Sequence, residues 1–143
     1  MRPLGVTLIG IYQILRGALG VVFGLSLILF TGVAAKLDSL AAEGNAVERV
    51  LHNFGRAAGL GIVVFALLHM LAGFGLLKMQ NWGRLLTLLL SAISLVLLLP
   101  VVIVAHGLPL IFAAINAASI FYLATPQLKR AFHGERLPVR AAA

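Results

Sequence analysis

The chain contains no cysteine, and only four of its 143 residues are acidic. Without cysteine there are no disulfides, thiolate metal sites, cysteine nucleophiles or dithiol redox centres. Charge of either sign is scarce. Charged residues make up 10% of the chain and hydrophobic ones 62%, against about a quarter and about half in an average soluble domain. At a mean hydropathy of +1.09, a soluble fold of this length could not hide so much apolar surface, so the solvent is lipid. The chain also lacks a glycine-rich phosphate loop, a nucleophile elbow and an HExxH pair. No metal, no cofactor and no enzymatic activity are expected. His69 is the sole intramembrane side chain suited to general-base work.

What is present is hydrophobic sequence punctuated by bases. Nineteen uncharged residues separate Arg16 from Lys36, 21 separate Arg56 from Lys78, and 44 separate Arg84 from Lys129, the last run broken by His106-Gly107-Leu108-Pro109. A helix needs ~20 residues to cross ~30 Å of hydrocarbon. The pattern therefore predicts an all-α fold, a four-transmembrane-helix bundle forming a single integral membrane domain over 1–143. Its spans are expected at about 4–34, 57–78, 84–105 and 108–125. Pro100 is expected to kink the third. A cleaved signal peptide does not fit the first, because signal apolar cores run ~7–15 residues and this one is longer and holds Arg16.

Two further pieces are expected outside the lipid. In the loop 35–56, Val47, Val50, Leu51 and Phe54 recur at helical spacing, which predicts a short external amphipathic helix. In the tail 126–143, Thr125-Pro126 reads as an N-cap followed by proline at the first helical position. That opens a cytoplasmic interfacial turn in which Leu128 and Phe132 face lipid and Lys129 and Arg130 face phosphate. Trp82, Arg84 and Lys78 are expected as interfacial anchors beside them.

The net charge of +7 points to topology and anionic lipid rather than nucleic acid, since the bases flank the spans. With four spans, Arg2, Lys78, Arg84, Lys129, Arg130, Arg136 and Arg140 share one side, while Lys36, Arg49 and Arg56 share the other. Seven against three places both termini in the cytoplasm, with membrane lipids as partners.

Small residues suggest how the helices meet. Gly10, Gly17 and Gly24 repeat every seven residues, Gly20 and Gly24 make a GxxxG, and Gly55 with Gly59 opens the second span likewise. Lipid gives no hydrophobic push between helices, so close packing through small residues supplies association. These glycines serve either to seat neighbouring helices in one subunit or as a homodimer face.

Arg16 is the least comfortable residue. It lies ~21 Å above Arg2 at 1.5 Å per residue, and a charge at mid-membrane costs at least ~2.5 kcal/mol. All four acids, Asp38, Glu43, Glu48 and Glu135, fall outside the spans. The same rise puts Gln13 at ~16 Å, His69 at ~13 Å, Ser94 and Ser119 at ~15 Å and Asn116 at ~20 Å from their nearest cytoplasmic charges. If these six face one another, they form a cationic polar layer without carboxylates, suited to an anion, a lipid phosphate, a carbonyl oxygen or a partner's acid. Alternatively the first span starts at Gly17, residues 4–15 lie in the interface, and Arg16 snorkels to the headgroups.

Asn81-Trp82-Gly83-Arg84 with the leucine-rich run to Ser91, the ending Tyr122-Leu123-Ala124-Thr125-Pro126-Gln127-Leu128-Lys129-Arg130-Ala131-Phe132, and the opening Arg2-Pro3-Leu4-Gly5-Val6-Thr7 resemble a broad class of small bacterial four-span membrane proteins. The resemblance implies four helices in a bacterial inner membrane and supplies no activity. The expected function is a non-catalytic, lipid-binding accessory or structural subunit that self-assembles or joins a larger membrane complex. The alternative is a small transporter or channel for an anionic or amphipathic solute.

Overall fold

A backbone in lipid must satisfy its N–H and C=O groups within itself. The computed structural model, which describes residues 3–40, 46–104 and 107–132, does so with five α-helices: α1 (Leu4–Leu40), α2 (Ala46–Leu77), α3 (Asn81–Val104), α4 (Leu108–Ala124) and α5 (Pro126–Phe132). The first three are long and apolar enough to cross a membrane, and α4 with α5 adds a fourth crossing if that pair, bent by 69°, counts as one span.

The distribution of side chains is inverted relative to a soluble protein. Leu8, Leu19, Phe23, Phe30, Leu85, Leu89, Val96 and Phe121 are exposed, while Gln13, His69, Thr87, Ser91 and Asn116 are at most 2% exposed. Apolar residues gain nothing by leaving lipid, whereas hydrogen-bonding groups do.

α1 starts at Leu4, as expected for the first span, and runs unbroken through Gly17 to Leu40. One expectation about the first half is corrected. Residues 46–56 are the opening turns of α2 rather than a separate amphipathic helix. No helix breaker separates Phe54 from Ala57, and Gly55 is occupied by packing. Val47, Val50, Leu51 and Phe54 are exposed there.

Contacts divide the chain into two compact units, Ile14–Met70, and Met1–Gln13 with Leu71–Ala143. In the first, α1 and α2 run antiparallel, backbone against backbone. A Cβ on Gly17 would sit 2.6 Å from the Ala66 carbonyl, one on Gly24 2.9 Å from the Gly59 carbonyl, and one on Gly55 2.5 Å from the Thr31 methyl. A Cβ on Gly20 would sit 2.8 Å from the Ala66 methyl, and one on Gly59 2.6 Å from Ile28 Cγ1. The small residues on this seam are thus seated within the chain.

In the second unit, Gly10 lies over Leu77 and Gly73. The turn after α2 closes by a Schellman motif, with Gln80 N–H donating to Gly75 O at 3.0 Å and Met79 N–H to Leu76 O at 2.9 Å. Met79 takes the left-handed conformation, φ 54°, that glycine usually supplies. Gly75 and Gly83 then allow α2 and α3 to touch: a Cβ on Gly83 would lie 2.4–2.5 Å from the Gly75 backbone.

Proline explains the other sharp turn. Pro126 pushes Thr125 out of the helical region to φ −61°, ψ 138°, as steric clash with a proline ring requires. The Thr125 hydroxyl donates back to the Tyr122 carbonyl at 2.8 Å instead of capping α5. The helix that follows is turned inward. Leu128 and Phe132, expected to face lipid, are buried in one apolar cluster with Val6, Leu76 and Leu123. The 69° bend is what aims them there.

The glycine contacts give a paired prediction. Gly83→Ala should destabilise the protein by about 1–3 kcal/mol, because rigid backbone blocks the methyl. Gly61→Ala, with nothing within 4 Å of the new Cβ, should be neutral or stabilising by up to ~1 kcal/mol through helix propensity. Thermal unfolding in detergent measures both; equal shifts would show that the Gly75–Gly83 approach is not tight.

Candidate functional site

Most of the expected polar residues collect in the larger unit. α3 turns one face inward, where Arg84, Thr87, Ser91 and Ser94 follow one another at helical spacing and are all buried. α4, packed along α3, contributes buried Asn116 and Ser119. Gln13 of α1 reaches this layer directly: its Nε2 donates to Ser91 Oγ at 3.4 Å.

Much of this polarity is absorbed locally. Thr87 Oγ1 donates to Gly83 O, Ser119 Oγ to Ile115 O and Asn116 Nδ2 to Phe112 O, each at 2.8 Å. Such bonds to the preceding turn let a side chain meet part of its hydrogen-bonding need on its own helix. A few atoms keep spare capacity. Tyr12 OH, Gln13 Oε1 and Ser94 Oγ are buried with no hydrogen-bond partner. Thr87 and Ser91 were not singled out by sequence, although their spacing from Arg84 would have marked the stripe.

Arg84 itself turns inward. Expected as an interfacial anchor, it is 7% exposed, and its Nε donates to Leu123 O at 3.1 Å. Leu123 lies in the last turn of α4, whose carbonyls have no partner within the helix. A guanidinium there satisfies one of them and complements the negative end of the helix dipole. Trp82 stays exposed over Gly75, with its indole N–H donating to Gln80 Oε1. Lys78, Lys129 and Arg130 are exposed.

Arg16 and His69 belong to the smaller unit, where they come together. With Gly20, Ile62, Phe65 and Ala66 they line a recess of about 80 Å³. Arg16 is half-buried and His69 almost fully buried. The imidazole is fixed twice: Nδ1 lies 2.9 Å from the Phe65 carbonyl, and the ring meets Phe65 edge-on at a centroid distance of 4.6 Å. A carbonyl only accepts, so Nδ1 carries the proton. Nε2 is buried with no hydrogen-bond partner.

No protein-family model, curated protein or solved structure matches this chain. Among the described residues no three His, Asp or Glu side chains gather closely enough to hold a metal ion. His106 lies outside the described residues.

Replacing Arg84 tests its structural role. Arg84→Met should cost about 2 kcal/mol, the range of a lost hydrogen bond to a charged group. Arg84→Lys should recover only part, because an ammonium lacks the rigid fork that reaches Leu123 O. Thermal melts of the solubilised protein measure this; an unchanged midpoint in Arg84→Met would mean the bond holds nothing.

Proposed function

We propose that this chain is a non-catalytic component of a bacterial inner membrane that holds lipid and assembles with itself or with a larger membrane complex. In this reading it crosses the bilayer four times with both termini cytoplasmic. The observation that carries it is the end of the larger unit where bases surround an apolar plug. Leu128 and Phe132 pack inward against Val6 and Leu76, which leaves Lys129 and Arg130 exposed on α5 and Lys78 exposed after α2. Each base near an anionic surface contributes about 1 kcal/mol, and exposed Trp82 is the residue type that settles at headgroup level. A fourth crossing by α4 is supported by its 17 residues, the lower end of the ~17–25 that span a bilayer.

Native mass spectrometry of gently solubilised protein should find anionic lipid retained, and less of it after combined Lys78→Gln, Lys129→Gln and Arg130→Gln. Protein stripped of all lipid and partners under those conditions would sink the proposal. Orientation is open to single-cysteine labelling, since the chain has no cysteine of its own. Gln127→Cys should react from the cytoplasmic side and Asn53→Cys from the outside; the reverse pattern would invert the topology.

One observation favours a second reading, transport of an anionic or amphipathic solute through the polar interior. Tyr12 OH, Gln13 Oε1 and Ser94 Oγ are buried without partners and could receive a solute. That reading requires Gln13→Leu to abolish flux in liposomes while the protein still folds, and unchanged flux excludes it.

A further inference from the structure

We propose that the face of α2 turned away from α1 is where a second copy of this chain docks, parallel and in register. The inference rests on the self-assembly proposed above and names the surface that carries it.

The spacing of the exposed residues defines the face. Val47, Val50 and Phe54 are 67%, 67% and 75% exposed. Ala57 and Gly61 follow, exposed as well, and then Val64 and Leu68 at 52% and 37%. The steps alternate between three and four residues, the repeat of a helix that winds around another helix. Gly55, Gly59 and Ala66, which pack on α1, lie on the opposite side by their spacing. Glu48, Arg49 and Arg56 fall off the stripe by the same spacing, so the face is uncharged from end to end.

Lipid does not cover all of it. The 21 uncharged residues between Arg56 and Lys78 rise ~32 Å, which fills the ~30 Å of hydrocarbon. Val50 and Val47 then stand ~9 and ~14 Å beyond Arg56, past a headgroup layer ~5–7 Å deep. Apolar side chains exposed there, continuous with an apolar stripe in the membrane, mark a protein contact.

An identical helix suits that contact. Copies inserted the same way round are related by a two-fold axis along the membrane normal. That symmetry lays α2 parallel to its counterpart, so each residue of the stripe meets its own equivalent and no like charges are brought together. Nothing lies within 4 Å of a Cβ built on Gly61. With Ala57 one turn earlier, it leaves backbone open to the close approach that holds helices together in lipid. A face ~33 Å long and ~12 Å across on each copy offers about 800 Å² to the pair as flat area. Interdigitated side chains raise that toward the ~1,000 Å² of a specific interface.

Because the chain has no cysteine, single cysteines report the contact in membranes of expressing cells. Under mild oxidation, full-length Val50→Cys should bridge to a dimer of twice the mass. Arg49→Cys, at nearly the same height but off the stripe, should not. In native mass spectrometry of gently solubilised protein, Gly61→Leu should lower the dimer-to-monomer ratio roughly tenfold. It should keep the wild-type helical circular dichroism, since the protomer has room for the side chain. Ala18→Leu, at an exposed site on α1, should leave the ratio unchanged. The cysteine pair decides alone should Gly61→Leu not fold. Bridging by both cysteines alike or by neither overturns the docking face, as does Val50→Cys joined to a chain of another mass. A dimer untouched by Gly61→Leu also overturns it and leaves self-assembly through another surface standing. A wild-type monomer that retains anionic lipid overturns the face but not the lipid-holding reading, and a monomer stripped of lipid overturns both.

Discussion

Lipid supplies no hydrogen bonds, and the architecture follows from that poverty. A polar side chain in such helices does best by finding a partner inside the protein or bonding to its own backbone, and Tyr12 OH and Ser94 Oγ are among the few buried atoms that do neither. Thr87, Asn116 and Ser119 take the second course, each reaching a carbonyl one turn back. Gln13 takes the first, crossing from α1 to Ser91 on α3. The leucines and phenylalanines have no such need and remain outside. With no hydrophobic force to draw the helices together, contact depends on how closely backbones approach. That is the role of Gly17, Gly24 and Gly59 along α1 and α2, and of Gly75 and Gly83 between α2 and α3.

Arg84 and Arg16 are accommodated differently. Arg84 is placed at the last turn of α4, where the Leu123 carbonyl accepts from it. Its charge is met by a helix end, so no carboxylate is needed. Arg16, half-buried, instead borders a recess that His69 also lines.

Several features were legible in the residues themselves. The apolar runs between Arg56 and Lys78 and beyond Arg84 predicted long helices, and the third and fourth elements fall within three residues of their expected ends. Gly107, in the break between them, adopts φ 108°, a conformation only glycine holds without strain. The buried standing of Gln13, His69, Ser94, Asn116 and Ser119 followed from their polarity in an apolar setting. Other features were not legible. The amphipathic pattern of 47–54 is compatible with a surface helix or with the opening turns of a longer one, because both share the same period. Leu128 and Phe132 have one sequence pattern whether they face lipid or core.

Composition and periodicity alone thus determined that the chain is helical, membrane-embedded and without thiol chemistry. Those properties depend on transfer energies and spacings that each segment carries by itself. Which way α5 turns, that Arg84 caps α4 rather than reaching for water, and that Arg16 and His69 share one recess were decided only by tertiary structure. Each depends on a backbone approach or a bend, set by a glycine pair, by Pro126 or by the antiparallel seam. The interior of a lipid-embedded fold is specified by contacts between distant segments, and hydropathy does not record them.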